Sequence, residues 1–142
     1  VASAVGLTLI LNEGIGDTVR VSLSEPPENE IRVAREILRF LKLRKYGARL
    51  ISCPTCARSE GDIQQIAPKI FKRIKNIAEP ITVAVMGCVV NGPGEAKSAD
   101  IGVACGKNQA LIFKNGKPLR KIAIDDIVDE LLCEIDDLIT NR

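Results

Sequence analysis

The sequence predicts an α+β domain that follows a separate strand–helix unit, and two patterns support this fold class. From residue 48 onward the apolar patterns run in the order strand, helix, several short strands and helix, which is typical of an antiparallel or mixed sheet with helices on one face. Before residue 48 there is one alternating segment and one helical segment, as in an α/β unit. We therefore expect two parts, residues 1–46 and residues 47–142.

The first part contains a half-buried strand and a helix. Residues 19–23 alternate apolar and polar side chains, as a strand with one buried face does. Pro26 and Pro27 are well placed to begin a helix, and Gly47 closes the segment. The apolar side chains at helical spacing are Ile31, Ala34, Ile37, Leu38 and Leu41.

The second part begins with a short strand at residues 50–52. Isoleucines three or four residues apart predict a helix over residues 62–77, and residues 87–94 form a loop. Asn115-Gly116 is a strong hairpin-turn signal, and Asp125 or Asp126 can cap the last helix. Further strands are expected at residues 81–86, 101–105, 110–113 and 119–124, and the buried stripe of the last helix is Ile127, Leu131, Ile135 and Leu138.

Composition restricts the class of protein. The chain has 142 residues, of which 46% are hydrophobic and 27% charged, as in ordinary globular domains. A net charge of +2 is too small to indicate nucleic-acid binding. No secretory leader is recognisable, and no apolar run reaches the roughly 18 residues that span a membrane. The chain begins at Val1, so we expect a piece of a longer protein or a processed one.

The five cysteines point to a reducing compartment. Their odd number, in a chain with a large apolar core, argues against a secreted disulfide framework and favours the cytoplasm. We expect Cys105 and Cys133 to be small buried hydrophobic side chains. Cys53 and Cys56 lie two residues apart at a strand end, where both thiolates can reach one metal or cluster. Alone, this pair also fits a thioredoxin-like redox pair, half of a zinc site, or coincidence.

A Gly-rich loop gives a more specific signal. Three glycines and a proline between residues 87 and 94 hold the backbone in a non-helical path that can pass close to a bulky group. Cys88 lies near the start of this loop, just after a strand, and Glu95 directly follows the loop. Taken alone, the loop fits a plain Gly-rich turn with one buried cysteine and one exposed glutamate equally well. Taken together with Cys53 and Cys56, however, the loop favours a metal site. The chain has no histidine, so a closed zinc site lacks its usual fourth ligand, whereas a carboxylate ligand suits a catalytic cluster.

Three segments resemble a known family. Residues 52–56 read Ser-Cys-Pro-Thr-Cys, and residues 85–96 read Val-Met-Gly-Cys-Val-Val-Asn-Gly-Pro-Gly-Glu-Ala. Residues 13–23 read Glu-Gly-Ile-Gly-Asp-Thr-Val-Arg-Val-Ser-Leu. These segments closely resemble the signatures of the 4-hydroxy-3-methylbut-2-enyl diphosphate synthase family, and the resemblance extends over nearly the whole chain.

The resemblance implies an iron–sulfur oxidoreductase with a [4Fe–4S] cluster, and it makes Glu95 both a ligand and a catalytic residue. The implied reaction is the reductive ring opening of 2-C-methyl-D-erythritol 2,4-cyclodiphosphate in the methylerythritol phosphate pathway of isoprenoid biosynthesis. Ferredoxin or flavodoxin would supply the electrons to a cytoplasmic homodimer that binds no nucleic acid and no membrane. The implied cluster ligands are Cys53, Cys56, Cys88 and Glu95.

The resemblance also implies the architecture. Family members carry a (β/α)8 barrel before a ferredoxin-like, sulfite-reductase-like cluster domain. Residues 1–46 then correspond to the last βα unit of a TIM barrel, with residues 1–12 ending the preceding helix, and residues 47–142 to the cluster domain. Arg20 and Ser22, on the last barrel strand, are expected to bind the substrate. Because most substrate-binding groups would lie on the rest of the barrel, we expect this chain alone to be inactive.

Two other functions remain open from the sequence. A non-catalytic iron–sulfur or zinc module would carry electrons or stabilise a fold, and iron and sulfide analysis distinguishes it. A sulfite or nitrite reductase shares the expected fold, but it needs further cysteines at short spacings around a siroheme, and the sequence lacks them.

Overall fold

The computed structural model describes residues 1–54, 56–89, 94 and 96–141. The chain divides into two compact units, Val1–Tyr46 and Gly47–Arg142. Within the described ranges, no helix combines the length and the apolar character needed to cross a membrane.

The first unit consists of two helices and an extended connection. Helix α1 spans Ala2–Asn12, which confirms the helix expected there, and helix α2 spans Pro27–Phe40 with a proline in its first turn. Glu28 and Glu30 lie in the first turn of α2, where carboxylates interact favourably with the helix dipole. The buried core of this unit consists of Leu11, Val21 and Ile37.

The prediction of a strand over residues 19–23 is wrong. The expected alternation of burial is present, since Val21 is buried while Arg20 and Ser22 are exposed. A strand also requires a hydrogen-bonded neighbour, and no described strand pairs with this segment. Side-chain alternation reports only which face is buried, so it could not reveal the missing partner.

The second unit contains a five-stranded mixed sheet in the order β1-β2-β3-β4-β5. The first three strands are parallel to one another, and β4 and β5 continue the sheet in antiparallel fashion. Two helices of the described ranges pack against the sheet, which agrees with the α+β class. The strands are β1 (Arg49–Ser52), β2 (Thr82–Met86), β3 (Ile101–Cys105), β4 (Gln109–Lys114) and β5 (Lys117–Ala123), and the helices are α3 (Ile63–Ile74) and α4 (Ile127–Thr140).

The two faces of the sheet are covered differently. Helices α3 and α4 pack on one face, where their buried side chains meet those of β2, β3 and β4 in the main core. The predicted stripe of α4 is buried as expected. On the other face a smaller cluster forms, in which Ala96 and Ala99 cover the sheet. The sheet residues of this smaller cluster are Ala84, Met86, Ala104 and Phe113.

Two turn predictions have different outcomes. Asn115 and Gly116 adopt positive φ values of 50° and 72°, so the hairpin between β4 and β5 is confirmed. Asp126 is the N-cap residue of α4, so the predicted helix start is confirmed, but its side chain makes no capping hydrogen bond. The cause is its backbone, with φ −92° and ψ 0°, which differs from the extended geometry of a capping residue. The predicted loop over residues 87–94 includes residues 90–93, which lie outside the described residues.

Candidate metal centre

Two of the cysteines singled out by the sequence lie at the carboxyl ends of neighbouring strands. Cys53 directly follows β1, and Gly87 and Cys88 directly follow β2. Ser52 pairs with Val85 and Met86 pairs with Ala104, so the carboxyl ends of β1, β2 and β3 lie side by side. Neighbouring strands are about 4.8 Å apart. The parallel topology therefore places Cys53 and Cys88 on adjacent strand ends, and Cys105 ends the next strand.

Gly87 connects the two cysteine-bearing loops through its backbone. Its N–H donates a hydrogen bond to Sγ of Cys53 over 3.1 Å, and its carbonyl accepts one from the N–H of Glu60 over 2.8 Å. A Cβ on Gly87 would lie 2.4 Å from Oγ of Ser59 and 3.3 Å from Cγ1 of Ile63. The close approach therefore requires glycine. Hydrogen bonds to sulfur also tune iron–sulfur centres, so this contact suits a thiolate ligand.

The segment after Cys53 is held by its own hydrogen bonds. The carbonyl of Cys56 accepts a hydrogen bond from the N–H of Ser59 over 2.9 Å, and the Ser59 hydroxyl donates to the carbonyl of Gly61 over 2.9 Å. Cys56 is exposed, whereas Cys53 and Cys88 are half-buried. The backbone thus directs one thiol toward the protein and leaves the other open to solvent.

The structure places two of the four predicted ligands, Cys53 and Cys88, on neighbouring strand ends. Glu95 lies outside the described residues. In the part of the chain that is described, no group of three cysteine or carboxylate side chains is arranged to hold a metal ion. The four-ligand set therefore stays a prediction, supported by the adjacent placement of Cys53 and Cys88.

Cys105 is a neighbour of this centre that the sequence did not indicate as part of it. It is fully buried, as expected of a small hydrophobic side chain, and burial followed by the negative charge of Cys53 raises its pKa to about 11. A Cβ on Gly61 would lie 2.3 Å from Sγ of Cys105, so the loop after Cys56 packs directly on this thiol. The signal available in the sequence was its position at the end of the strand predicted over residues 101–105, but the parallel pairing of that strand was not predictable.

Cys133 does not follow the expectation of a buried side chain. It lies on α4 and is exposed. Leu131 and Ile135 are buried on the same helix. Because each residue turns a helix by about 100°, a residue two positions after Leu131 faces nearly away from the buried stripe.

The predicted substrate ligands lie in the first unit. Arg20 and Ser22 are both exposed, while the intervening Val21 is buried. Both polar side chains are therefore accessible to a ligand.

Comparison with known proteins follows the division into two units. Residues 49–137 match the family model described as the GcpE protein C-terminal domain, and residues 1–35 match the GcpE TIM-barrel domain. This chain belongs to the GcpE family. The resemblance carried by the three sequence segments is thereby confirmed.

Similar members of the GcpE family are known from several bacteria. The chain is 56% identical to a protein from Caldicellulosiruptor saccharolyticus and 54% identical to one from Dehalococcoides mccartyi, in each case over 95% of the chain. It is 47% identical over its whole length to a protein from Geobacter sulfurreducens. Each of the three is named 4-hydroxy-3-methylbut-2-en-1-yl diphosphate synthase (flavodoxin). The chain spans 39% to 40% of the length of these relatives.

Proposed function

We propose that this chain supplies the iron–sulfur domain of a 4-hydroxy-3-methylbut-2-en-1-yl diphosphate synthase. The enzyme reduces 2-C-methyl-D-erythritol 2,4-cyclodiphosphate with two electrons, in the methylerythritol phosphate pathway of isoprenoid biosynthesis. The observation that supports this most is the placement of Cys53 and Cys88 on adjacent strand ends, where the N–H of Gly87 donates a hydrogen bond to the Cys53 sulfur. The relatives that bear this enzyme's name support the same assignment.

The donor set fits a [4Fe–4S] cluster better than other metals. Soft thiolates select iron–sulfur clusters, and the chain contains no histidine to complete a zinc site. In our proposal Cys53, Cys56 and Cys88 hold three irons, and Glu95 is the exchangeable fourth ligand near the substrate. The bound cluster would supply single electrons to the substrate. Gly87 would keep the Cys53 thiolate oriented, and the apolar cluster around Met86 and Phe113 would limit access of water.

The architecture and partners follow from the same proposal. Residues 47–142 would form the ferredoxin-like, sulfite-reductase-like cluster domain, and residues 1–46 the end of the (β/α)8 barrel. Flavodoxin, which the relatives' names contain, or ferredoxin would reduce a cytoplasmic homodimer. In that dimer the cluster domain of one subunit would close over the barrel of the other.

Arg20 and Ser22 would bind the diphosphate of the substrate. Both side chains are exposed, and a guanidinium can donate two hydrogen bonds to a phosphate group. In the full-length enzyme Arg20→Ala should raise KM for the cyclodiphosphate by roughly tenfold or more, which is the loss of one charge-assisted hydrogen bond. Steady-state kinetics would measure this, and an unchanged KM would reject the role.

The decisive experiment is anaerobic cluster reconstitution of the full-length enzyme, followed by metal analysis, Mössbauer spectroscopy and a turnover assay. We expect iron and sulfide in equal amounts, a [4Fe–4S] spectrum and reduction of the cyclodiphosphate by reduced flavodoxin. Zinc without sulfide would instead establish a metal that stabilises the fold. A full cluster without turnover would indicate a module that only carries electrons.

A further inference from the structure

An open cleft lies beside the candidate metal centre. Its volume is about 640 Å³. One wall is Val89, the residue directly after Cys88, and the remaining walls come from the turn between β3 and β4 and from strands β4 and β5. Val89 is packed near this turn, because its Cγ1 lies 3.6 Å from the position that a Cβ on Gly106 would occupy. The cleft and the Cys88 loop therefore share a wall.

The cleft lies on the face of the sheet that no described helix covers. Leu111 pairs with Ala104 on one side and with Lys121 on the other, so all three side chains point to the same face. Ala104 belongs to the smaller core on that face. The neighbours Ile112 and Ile122 point the opposite way, into the core beneath α3 and α4.

The charge of the cleft is positive and not neutralised by the described residues. Lys107 and Lys121 are exposed on its rim, and none of the described lining residues is acidic. Neither lysine forms an ion pair with a carboxylate in the described ranges. Arg120 differs, because Glu130 and Glu134 of α4 pair with it on the helix-covered face. Part of the lining is apolar, namely Leu111 and Val89.

We propose that this cleft docks the protein that delivers electrons, through an acidic surface of that carrier. The inference rests on the proposed function, because it assumes a cluster at Cys53 and Cys88. A carrier seated between Lys107 and Lys121 would contact Val89, so its redox group would lie close to the Cys88 loop. Two electrons leave the carrier for each cyclodiphosphate reduced.

The shape and charge of the cleft fit this kind of partner. Electron-transfer encounters use small interfaces, of less than about 1,200 Å², and complementary charge raises their association rate more than their affinity. An open cleft with exposed lysines and some apolar lining suits such a small, charge-steered interface. A small anion, such as the diphosphate of the substrate, is the competing occupant.

The test uses the reconstituted full-length enzyme with two reductants. The double variant Lys107→Glu/Lys121→Glu reverses the rim charge, and Lys69→Glu/Lys72→Glu makes the same charge change on exposed positions of α3, on the opposite face. We expect the rim variant to lower kcat/KM for flavodoxin by about tenfold or more at low salt. Turnover with dithionite-reduced methyl viologen, which needs no docking surface, should be retained. The α3 variant should keep both activities.

Several results would overturn the docking site. An unchanged kcat/KM for flavodoxin in the rim variant, or an equal loss in the α3 variant, would do so. A raised KM for the cyclodiphosphate with both reductants would assign the lysines to the substrate instead. An unchanged association rate constant for flavodoxin in the rim variant, measured by surface plasmon resonance at low salt, would also contradict it. If the unsubstituted enzyme fails with methyl viologen as well, the proposed function itself is wrong.

Discussion

Gly87 shows at the scale of one residue how the backbone builds the candidate metal centre. Its N–H donates a hydrogen bond to the Cys53 sulfur and its carbonyl accepts one from the N–H of Glu60, so the backbone of one residue holds both ends of the segment from Cys53 to Glu60. The sequence indicated a loop in which a backbone passes close to a bulky group. It could not indicate that the nearest groups are Ser59 and Ile63, because that depends on how β1 and β2 pair.

The substitution Gly87→Ala should destabilise the chain. Its Cβ would lie 2.4 Å from Oγ and 3.1 Å from Cβ of Ser59, so the loop must shift. Such overpacking costs about 1–3 kcal/mol, measured as the free energy of unfolding in denaturant. The second substitution Ser59→Gly removes both contacts and should recover part of the loss in a double-mutant cycle. Stability equal to that of the unsubstituted chain would show that the loop has free space.

Cys53 and Cys133 make a matched pair for testing ligation. Cys53→Ser should abolish cluster reconstitution, because a hydroxyl is a much weaker iron ligand than a thiolate. Cys133→Ser removes an exposed thiol of α4 and should leave the iron and sulfide content unchanged. Both contents, and the visible absorbance of the cluster, are the measurements. A complete cluster in the Cys53 variant would remove this residue from the ligand set.

The secondary-structure elements were largely predictable because their signals are local. The isoleucine spacing of α3, the stripe of α4 and the Asn115-Gly116 turn each depend on a few neighbouring residues. The segment 19–23 failed for the opposite reason, since a strand depends on a partner elsewhere. For the same reason the sequence left the sheet as antiparallel or mixed, and only the structure shows β1, β2 and β3 in parallel.

Helix starts allow a matched test at this scale. Asp62 caps α3, because its Oδ1 accepts a hydrogen bond from the N–H of Gln65 over 3.2 Å, whereas Asp126 makes no such bond at α4. Asp62→Ala should therefore lower the free energy of unfolding by about 1 kcal/mol, the usual value of a side-chain cap. Asp126→Ala should lose only the dipole interaction, about 0.3–1 kcal/mol. Denaturant titration of both variants measures the difference, and a larger loss for Asp126 would contradict this account.

At the scale of the whole molecule, the candidate metal centre depends on topology that the sequence contained only indirectly. The cysteines at residues 53, 56 and 88 were evident in the sequence, but the placement of Cys53 and Cys88 on neighbouring strand ends depends on parallel pairing of β1 with β2 through the crossover helix α3. Cys105 lies at the same end of the sheet because β3 runs parallel to β2 and ends at this residue. All of these elements belong to the unit Gly47–Arg142, whereas Arg20 and Ser22 belong to Val1–Tyr46.

This division of groups predicts that the chain alone gives no turnover, even with a complete cluster. A diphosphate needs several cationic groups to neutralise it, and Arg20 is the only cation among our proposed substrate ligands. The GcpE TIM-barrel match covers residues 1–35, and the chain spans 39% of the length of the relative from Caldicellulosiruptor saccharolyticus.

The experiment compares this chain with the full-length enzyme, both reconstituted, using reduced flavodoxin and the cyclodiphosphate. We expect equal iron and sulfide per chain but product only from the full-length enzyme, because binding of the diphosphate and delivery of electrons lie in different units. Product from this chain at a comparable rate would show that the cluster domain also binds the substrate, and Lys107 and Lys121 would then be the first residues to substitute.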